Sequence, residues 1–201
     1  MNSSNGSRRH FLRTAAAVAP LSALGAFAPP ASARPRDRNG DWPADLEDAV
    51  ERAMPVAVDR ARQARRPFGA VLVDAGSGAV VTGARNTSDL SGDVTAHAEV
   101  NLLRKAADEG LDLPSHVVVT TAEPCAMCAG AILWAKVRGV AYGTSVARLV
   151  SYGMPQIDLS FADIARHSRV AEPPAVLGDV RADLTDPLYR RFMASIGGAS
   201  A

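Results

Sequence analysis

The chain has 201 residues, 47% hydrophobic, 21% charged and 5% aromatic, a composition that excludes a disordered or collagen-like chain and a length that favours one buried core over two. With 22 basic and 21 acidic side chains the formal charge is +1, so the broad positive excess that nucleic-acid binders carry is missing. Cys125 and Cys128 are the only cysteines, which excludes a disulfide-rich scaffold.

In chain order, residues 1–33 come first. They place Arg8 and Arg9 in "SRRHFLRT", then the apolar "AAAVAPLSALGAFA", then "PPASA". A basic start, a short apolar run and a small-residue end read as a signal peptide, and Arg8, Arg9, Phe11 and Leu12 in register resemble a twin-arginine leader cut after Ala33. The apolar run is too short for a comfortable bilayer span, and no cysteine lies there to carry a lipid anchor. The expected location is therefore periplasmic or extracellular, without a stable membrane anchor. Cleavage removes Arg8, Arg9 and Arg13 and no acid, leaving 19 basic against 21 acidic side chains, a formal −2. That balance argues against a nucleic-acid partner. Residues 34–43, "RPRDRNGDWP", read as a polar linker, and 44–201 as the folded domain.

The periodicity of "ADLEDAVERAMPVAVDRARQA" predicts a helix that Pro55 restarts or kinks. "GAVLVD" and "AVVTGA", joined by the turn "DAGSG" (74–78), predict an antiparallel hairpin. "TAHAEVNLLRKAADEG" follows as a helix with Thr95 as N-cap and Gly110 as stop, then "HVVVTT" as a buried strand and "PCAMCAGAILWAKV" as a helix with Pro124 at its start. "GVAYGT" predicts a strand, "SFADIARHS" a short helix, "AVLGDV" a strand and "DPLYRRFMA" a closing helix. The order implies an α/β fold, a three-layer α/β/α sandwich around a mixed sheet of about five strands, mostly parallel after the hairpin.

In such a sheet, helix starts collect at the carboxyl edge of the strands, where ligands bind. His97 and Glu99 open one helix, and Cys125 and Cys128 open the next. A disulfide between residues three apart would cross-link almost no chain, and a redox C-x-x-C belongs after the first strand of a thioredoxin-like fold. The remaining reading is zinc held by His97, Cys125 and Cys128, with a fourth position open to water. His10 leaves with the leader, while His116 and His167 lack ligand spacing and read as ordinary surface or core histidines.

"HAE" at 97–99 followed by "PCAMC" at 124–128 matches the zinc-deaminase pattern H-x-E…P-C-x-x-C. With "PFGAVLVD", "GARN", "TAHAEVNLLRKA" and "AEPCAMCAGAILWAKVRGVAYGT", the resemblance to the cytidine-deaminase-like superfamily runs over residues 45–145. Within it the chain resembles the branch of guanine, cytosine and tRNA-adenosine deaminases, guanine deaminases above all. The resemblance implies zinc as cofactor and Glu99 as general acid/base, taking a proton from water, delivering it to a ring nitrogen and protonating the leaving ammonia.

It also implies that Asn86 hydrogen-bonds the substrate ring, unless it caps the loop "NTSDLSGD" instead, and that Phe68 or Ala70 lines the pocket. Ala98 and Cys125 would offer backbone N–H groups to a substrate carbonyl. Asp158, with Asp163 behind it, is the expected reader of a purine edge, a helix cap or solvated acid being the alternative. The expected substrate is a free amino-substituted base or nucleoside, purine first and cytosine or cytidine second, and the expected partner is a second copy of the chain. The opposing class is an exported zinc-binding domain without turnover.

Overall fold

The computed structural model describes residues 38–39, 42, 44–170 and 172–197. The leader expected over 1–33 and most of the linker lie outside the described residues. Within the linker stretch, however, Arg38–Asn39 form a short strand (β1), and Trp42 is buried against the core. The elements that follow are α1 (Ala44–Arg62), β2 (Gly69–Asp74), β3 (Val80–Arg85), α2 (Ser88–Ser91), α3 (Ala98–Asp108), β4 (His116–Ala122) and α4 (Ala126–Ala135). β5 (Gly139–Thr144), α5 (Val146–Ser151), α6 (Phe161–His167), β6 (Ala175–Leu177) and α7 (Ala182–Gly197) complete the described chain.

The sheet has six strands in the order β1-β6-β5-β4-β2-β3, the expected five plus the two-residue β1. It is less parallel than the alternation of strands and helices implied. β4, β5 and β6 run parallel, but β2 is antiparallel to both β3 and β4. The helix that follows the hairpin carries the chain past β2, so β4 docks on the free edge of β2 and lies parallel to β3 without touching it. The central strands β4 and β5 are buried at every position.

One face of the sheet packs Val71, Val73, Val117 and Val119 against Leu46, Val50, Met54 and Val58 of α1. The other packs Leu72, Val118 and Val140 against α3, α4 and α6 through Leu102, Ile132 and Phe161. The three-layer sandwich read from the sequence is the observed architecture. α1 runs through Pro55 without interruption. One missing hydrogen bond is outweighed by a continuous buried stripe on either side of the proline. A Cβ at Gly69 would collide with the Ala57 carbonyl and the Ala61 nitrogen, so that glycine lets α1 lie directly on β2.

Local signals err at two ends and hold at a third. The N-cap of α3 is His97, not Thr95, because Asp93 accepts both the backbone N–H and the hydroxyl of Thr95 and holds that residue in a turn closed by Ala96 N–H on the Asp93 carbonyl. Gly110, at φ +68°, does close α3, with Gly110 N–H donating to Ala107 and Leu111 N–H to Ala106 in a Schellman pattern. β6 stops at Leu177, since Asp179 and Arg181 adopt φ of +59° and +48°, which no strand accommodates. Among the described residues no helix is long and apolar enough to cross a membrane.

Candidate metal centre and active-site cleft

His97 and Cys125 occupy equivalent places, the N-caps of α3 and α4, each with extended backbone (φ −71°, ψ 160° and φ −61°, ψ 168°) and no side-chain capping bond. Their side chains are thereby free to turn toward each other. His97 Nδ1 lies 3.6 Å from Cys125 Sγ and 3.6 Å from Cys128 Sγ, and the three donor atoms all fall within 4.8 Å of one another. A tetrahedral zinc with Zn–N near 2.05 Å and Zn–S near 2.3 Å requires an N···S separation of about 3.6 Å. The donor set and its spacing fit that metal. Among the described residues no other His, Cys, Asp or Glu joins the group, so three protein ligands leave one position open.

Both cysteines are free thiols. A hydrogen bond from the Cys128 thiol, helped by His97, draws Cys125 down to about 4, while the same bond and burial push Cys128 up. The hydrogen bond with Cys125 raises His97. Both cysteines stand at or beside helix N-termini, whose dipoles favour the negative charge a thiolate ligand carries. His116 and His167 stand apart, each with Nδ1 on a backbone carbonyl, of Asp112 and Asp163 respectively.

Glu99 sits in the first turn of α3 and is only 4% exposed. Burial raises its pKa, opposed by a 2.6 Å hydrogen bond donated by Thr120 Oγ1 from β4. Glu99, His97 and Cys125 open onto a cleft of about 810 Å³. Its walls are largely apolar, with Phe68 at the entry to β2, Leu149 and Met154 around the end of α5, and Phe192, Met193 and Ile196 from α7.

The other expected site residues divide. Phe68 and Asn86 line the cleft. Asn86 Oδ1 accepts from Ser88 N–H and Oγ–H at 3.0 and 2.9 Å, the loop-capping role weighed for it, and the residue also lines the cleft. Ala70 does not line the cleft; it is fully buried in the core opposite Thr120. Ala98 is likewise buried, its first-turn amide being one of the donors every helix start leaves unpaired. Asp158 is not brought to the cleft at all. It is exposed and borders a separate cavity of about 350 Å³ together with Asp163 and Asp179.

Sequence reading missed Thr120, Glu123 and α7. Glu123, buried at 5% exposure, accepts from Val146 N–H at 2.8 Å and Phe161 N–H at 2.7 Å, tying the starts of α5 and α6 to the loop that carries Cys125. Tyr189 of α7 is fully buried, donates to Thr121 Oγ1 at 2.7 Å and packs 5.1 Å from the Phe68 ring. Only the strand alternation in "HVVVTT" hinted that Thr120 would face α3.

Known proteins bear on this geometry. The chain is 38% identical over 143 residues to a tRNA(Ile)-lysidine synthase of Deinococcus deserti, covering 70% of this chain and 25% of that protein. It is 44% identical over 78 residues to a guanine deaminase of Bacillus subtilis, covering 38% and 49%. Other relatives bear the names cytosine deaminase and tRNA-specific adenosine deaminase. The chain thus spans a quarter of the first of these relatives and about half of the guanine deaminase. A solved structure from a study of tRNA:A34 deaminases superposes with a TM-score of 0.57 at 29% identity, over 68% of this chain and 98% of that one. Residues 44–144, which hold the hairpin, Glu99 and all three ligands, match the family described as the cytidine and deoxycytidylate deaminase zinc-binding region, and the chain belongs to that family.

Proposed function

We propose that this protein is a zinc-dependent hydrolase that removes the amino group from a free nucleobase or nucleoside, purines first, and releases ammonia. The observation that carries the reading is the buried Glu99 carboxylate beside the three ligands, on a cleft large enough for a bicyclic base and its sugar.

Zinc, when bound, supplies a Lewis acid that makes water nucleophilic at neutral pH. The chain's own residues do the rest. Glu99 takes a proton from the attacking water, passes it to the ring nitrogen next to the amino-bearing carbon, and later protonates the departing amine; water is consumed, and a carbonyl and ammonia form. Phe68 offers its ring to one face of the base. Asn86 Nδ2 supplies a donor for a ring acceptor, while Ser88 fixes its amide orientation through Oδ1. Because Asp158 lies off the cleft, the purine preference rests on cleft size, while the net charge expected of the mature chain supports a small-molecule substrate over a nucleic acid.

Export by a twin-arginine leader belongs to the same proposal, because that route carries folded proteins and allows zinc to be loaded before the thiols meet an oxidising compartment. Replacing Arg8 and Arg9 with Lys should retain precursor in the cytoplasm, and normal export of that variant would reject the route. A homodimer is also proposed, supported by Trp134 and Met127 standing 72% and 37% exposed on α4. Light scattering that finds only monomer at micromolar concentration would reject it.

The deciding experiment is ammonia release from guanine, guanosine, adenine, cytosine and cytidine. Guanine or its nucleoside should give the highest kcat/KM. Cytosine or cytidine turning over at least as efficiently transfers the assignment to pyrimidines, and zinc-replete protein without turnover on any of them points to the binding-domain class.

A further inference from the structure

Thr120 lies on the central strand β4, fully buried, with Ala70 of β2 directly opposite and on the same face as α3. The Glu99 carboxylate meets it across 21 residues of sequence, accepting from the Thr120 hydroxyl. The Thr120 hydroxyl has one proton to give. Two acceptors lie within range: Glu99 Oε1 at 2.6 Å and the Gly69 carbonyl at 3.4 Å. The carbonyl is the poorer claimant, being farther away and already served by Thr121 Oγ1 at 3.2 Å.

We infer that Thr120 is a positioning residue for the proposed deamination: its hydroxyl pins Glu99 Oε1 and leaves Oε2 as the oxygen that exchanges protons with water and the substrate ring. The inference rests on the proposed role of Glu99. A carboxylate on a flexible stem can rotate both oxygens through the site, whereas a general acid/base must hold its proton-carrying oxygen within hydrogen-bond reach of two atoms in turn. Threonine suits the task because its β-branched side chain is stiff at χ1, so the donor itself does not wander. A buried carboxylate oxygen without this donor would have to find another partner, and turning about its own torsions is the way open to it.

The test compares Thr120→Val, which keeps the shape and removes the donor, with Thr120→Ser, which keeps the donor, and Thr120→Ala as a second donor-free variant should valine disturb folding. Zinc content and thermal midpoint are measured alongside. The expected result is a kcat lower by about tenfold or more in both donor-free variants, with KM within about threefold of wild type, and a serine variant within about threefold of wild type in both constants. A donor-free variant that keeps kcat within about twofold while retaining zinc overturns the inference, as does a serine variant that falls with the others. A crystal structure of the zinc-loaded Thr120→Val protein gives an independent reading: Glu99 should have turned, and an unchanged carboxylate position overturns the role even if the wild type deaminates no base. Absence of turnover in the wild type would count against the proposed function alone, since the crystallographic comparison still decides the role of Thr120.

Discussion

Exchanging Glu99 for glutamine isolates the proton-transfer role proposed for it, because the substitution is isosteric and its consequences can be worked out group by group. The amide oxygen of glutamine can still accept the Thr120 hydrogen bond of 2.6 Å, so the side chain keeps its anchor. Glu99 is not a zinc ligand here; the donors are His97, Cys125 and Cys128, so metal content should be unchanged. What disappears is a group able to take and return a proton, worth roughly 100- to 10,000-fold in rate, or about 2.7–5.5 kcal/mol of transition-state stabilisation. Stability should move the other way or not at all. The carboxylate is 4% exposed and burial raises its pKa, which means the folded protein bears a desolvation penalty for the charge that a neutral amide avoids. The assay is steady-state ammonia release together with metal analysis and thermal unfolding. Turnover within about tenfold of wild type in zinc-replete Glu99→Gln protein would refute the reasoning, whatever the substrate.

Metal analysis of freshly purified protein should find about one zinc per chain, and His97→Ala should bring it below about half an equivalent while dialysis against a chelator abolishes turnover. A Cys125–Cys128 disulfide in active protein would contradict this. Glu123→Leu should destabilise the fold by about 2–5 kcal/mol in urea unfolding, since two buried amides, Val146 and Phe161, lose their acceptor; a loss below about 1 kcal/mol would show those amides finding other partners. Asp158→Ala should leave kcat and KM for guanine within about twofold, because Asp158 borders a different cavity, and a tenfold loss would mean that Asp158 itself acts on the substrate.

The legible parts of the molecule were those written in adjacent residues. Turn chemistry at 74–78 disclosed the hairpin, and the spacing of His97, Glu99, Cys125 and Cys128 disclosed the metal centre, because the ligands are placed by the starts of just two helices. The insertion of β4 beside β2 was not legible, since nothing in either strand states which edge it will occupy. Nor was the cleft wall. Tyr189 meets Thr121 across 68 residues, and the α7 side chains that face the cleft have the same apolar spacing as any helix lying on a core. Asp158 shows the converse error: an acid at a suitable distance along the chain ended on the other side of the Glu123 clamp, in a different cavity.

The two capping ligands have a mechanical consequence. Cys125 and Cys128 are too close in sequence to cross-link anything, yet each stands 3.6 Å from a histidine 28 or 31 residues away. A zinc ion shared among them ties a loop of that length as a covalent bridge would, and loop-closure entropy assigns such a tie about 3–4 kcal/mol of stabilisation, acting through the denatured chain. The ion is then a staple as well as a reagent, fastening the first turns of α3 and α4 where neither has a side-chain cap. Chelation should accordingly loosen those two turns first, a change visible as faster amide hydrogen exchange at residues 98–101 and 126–129 while the central strands β4 and β5 stay protected.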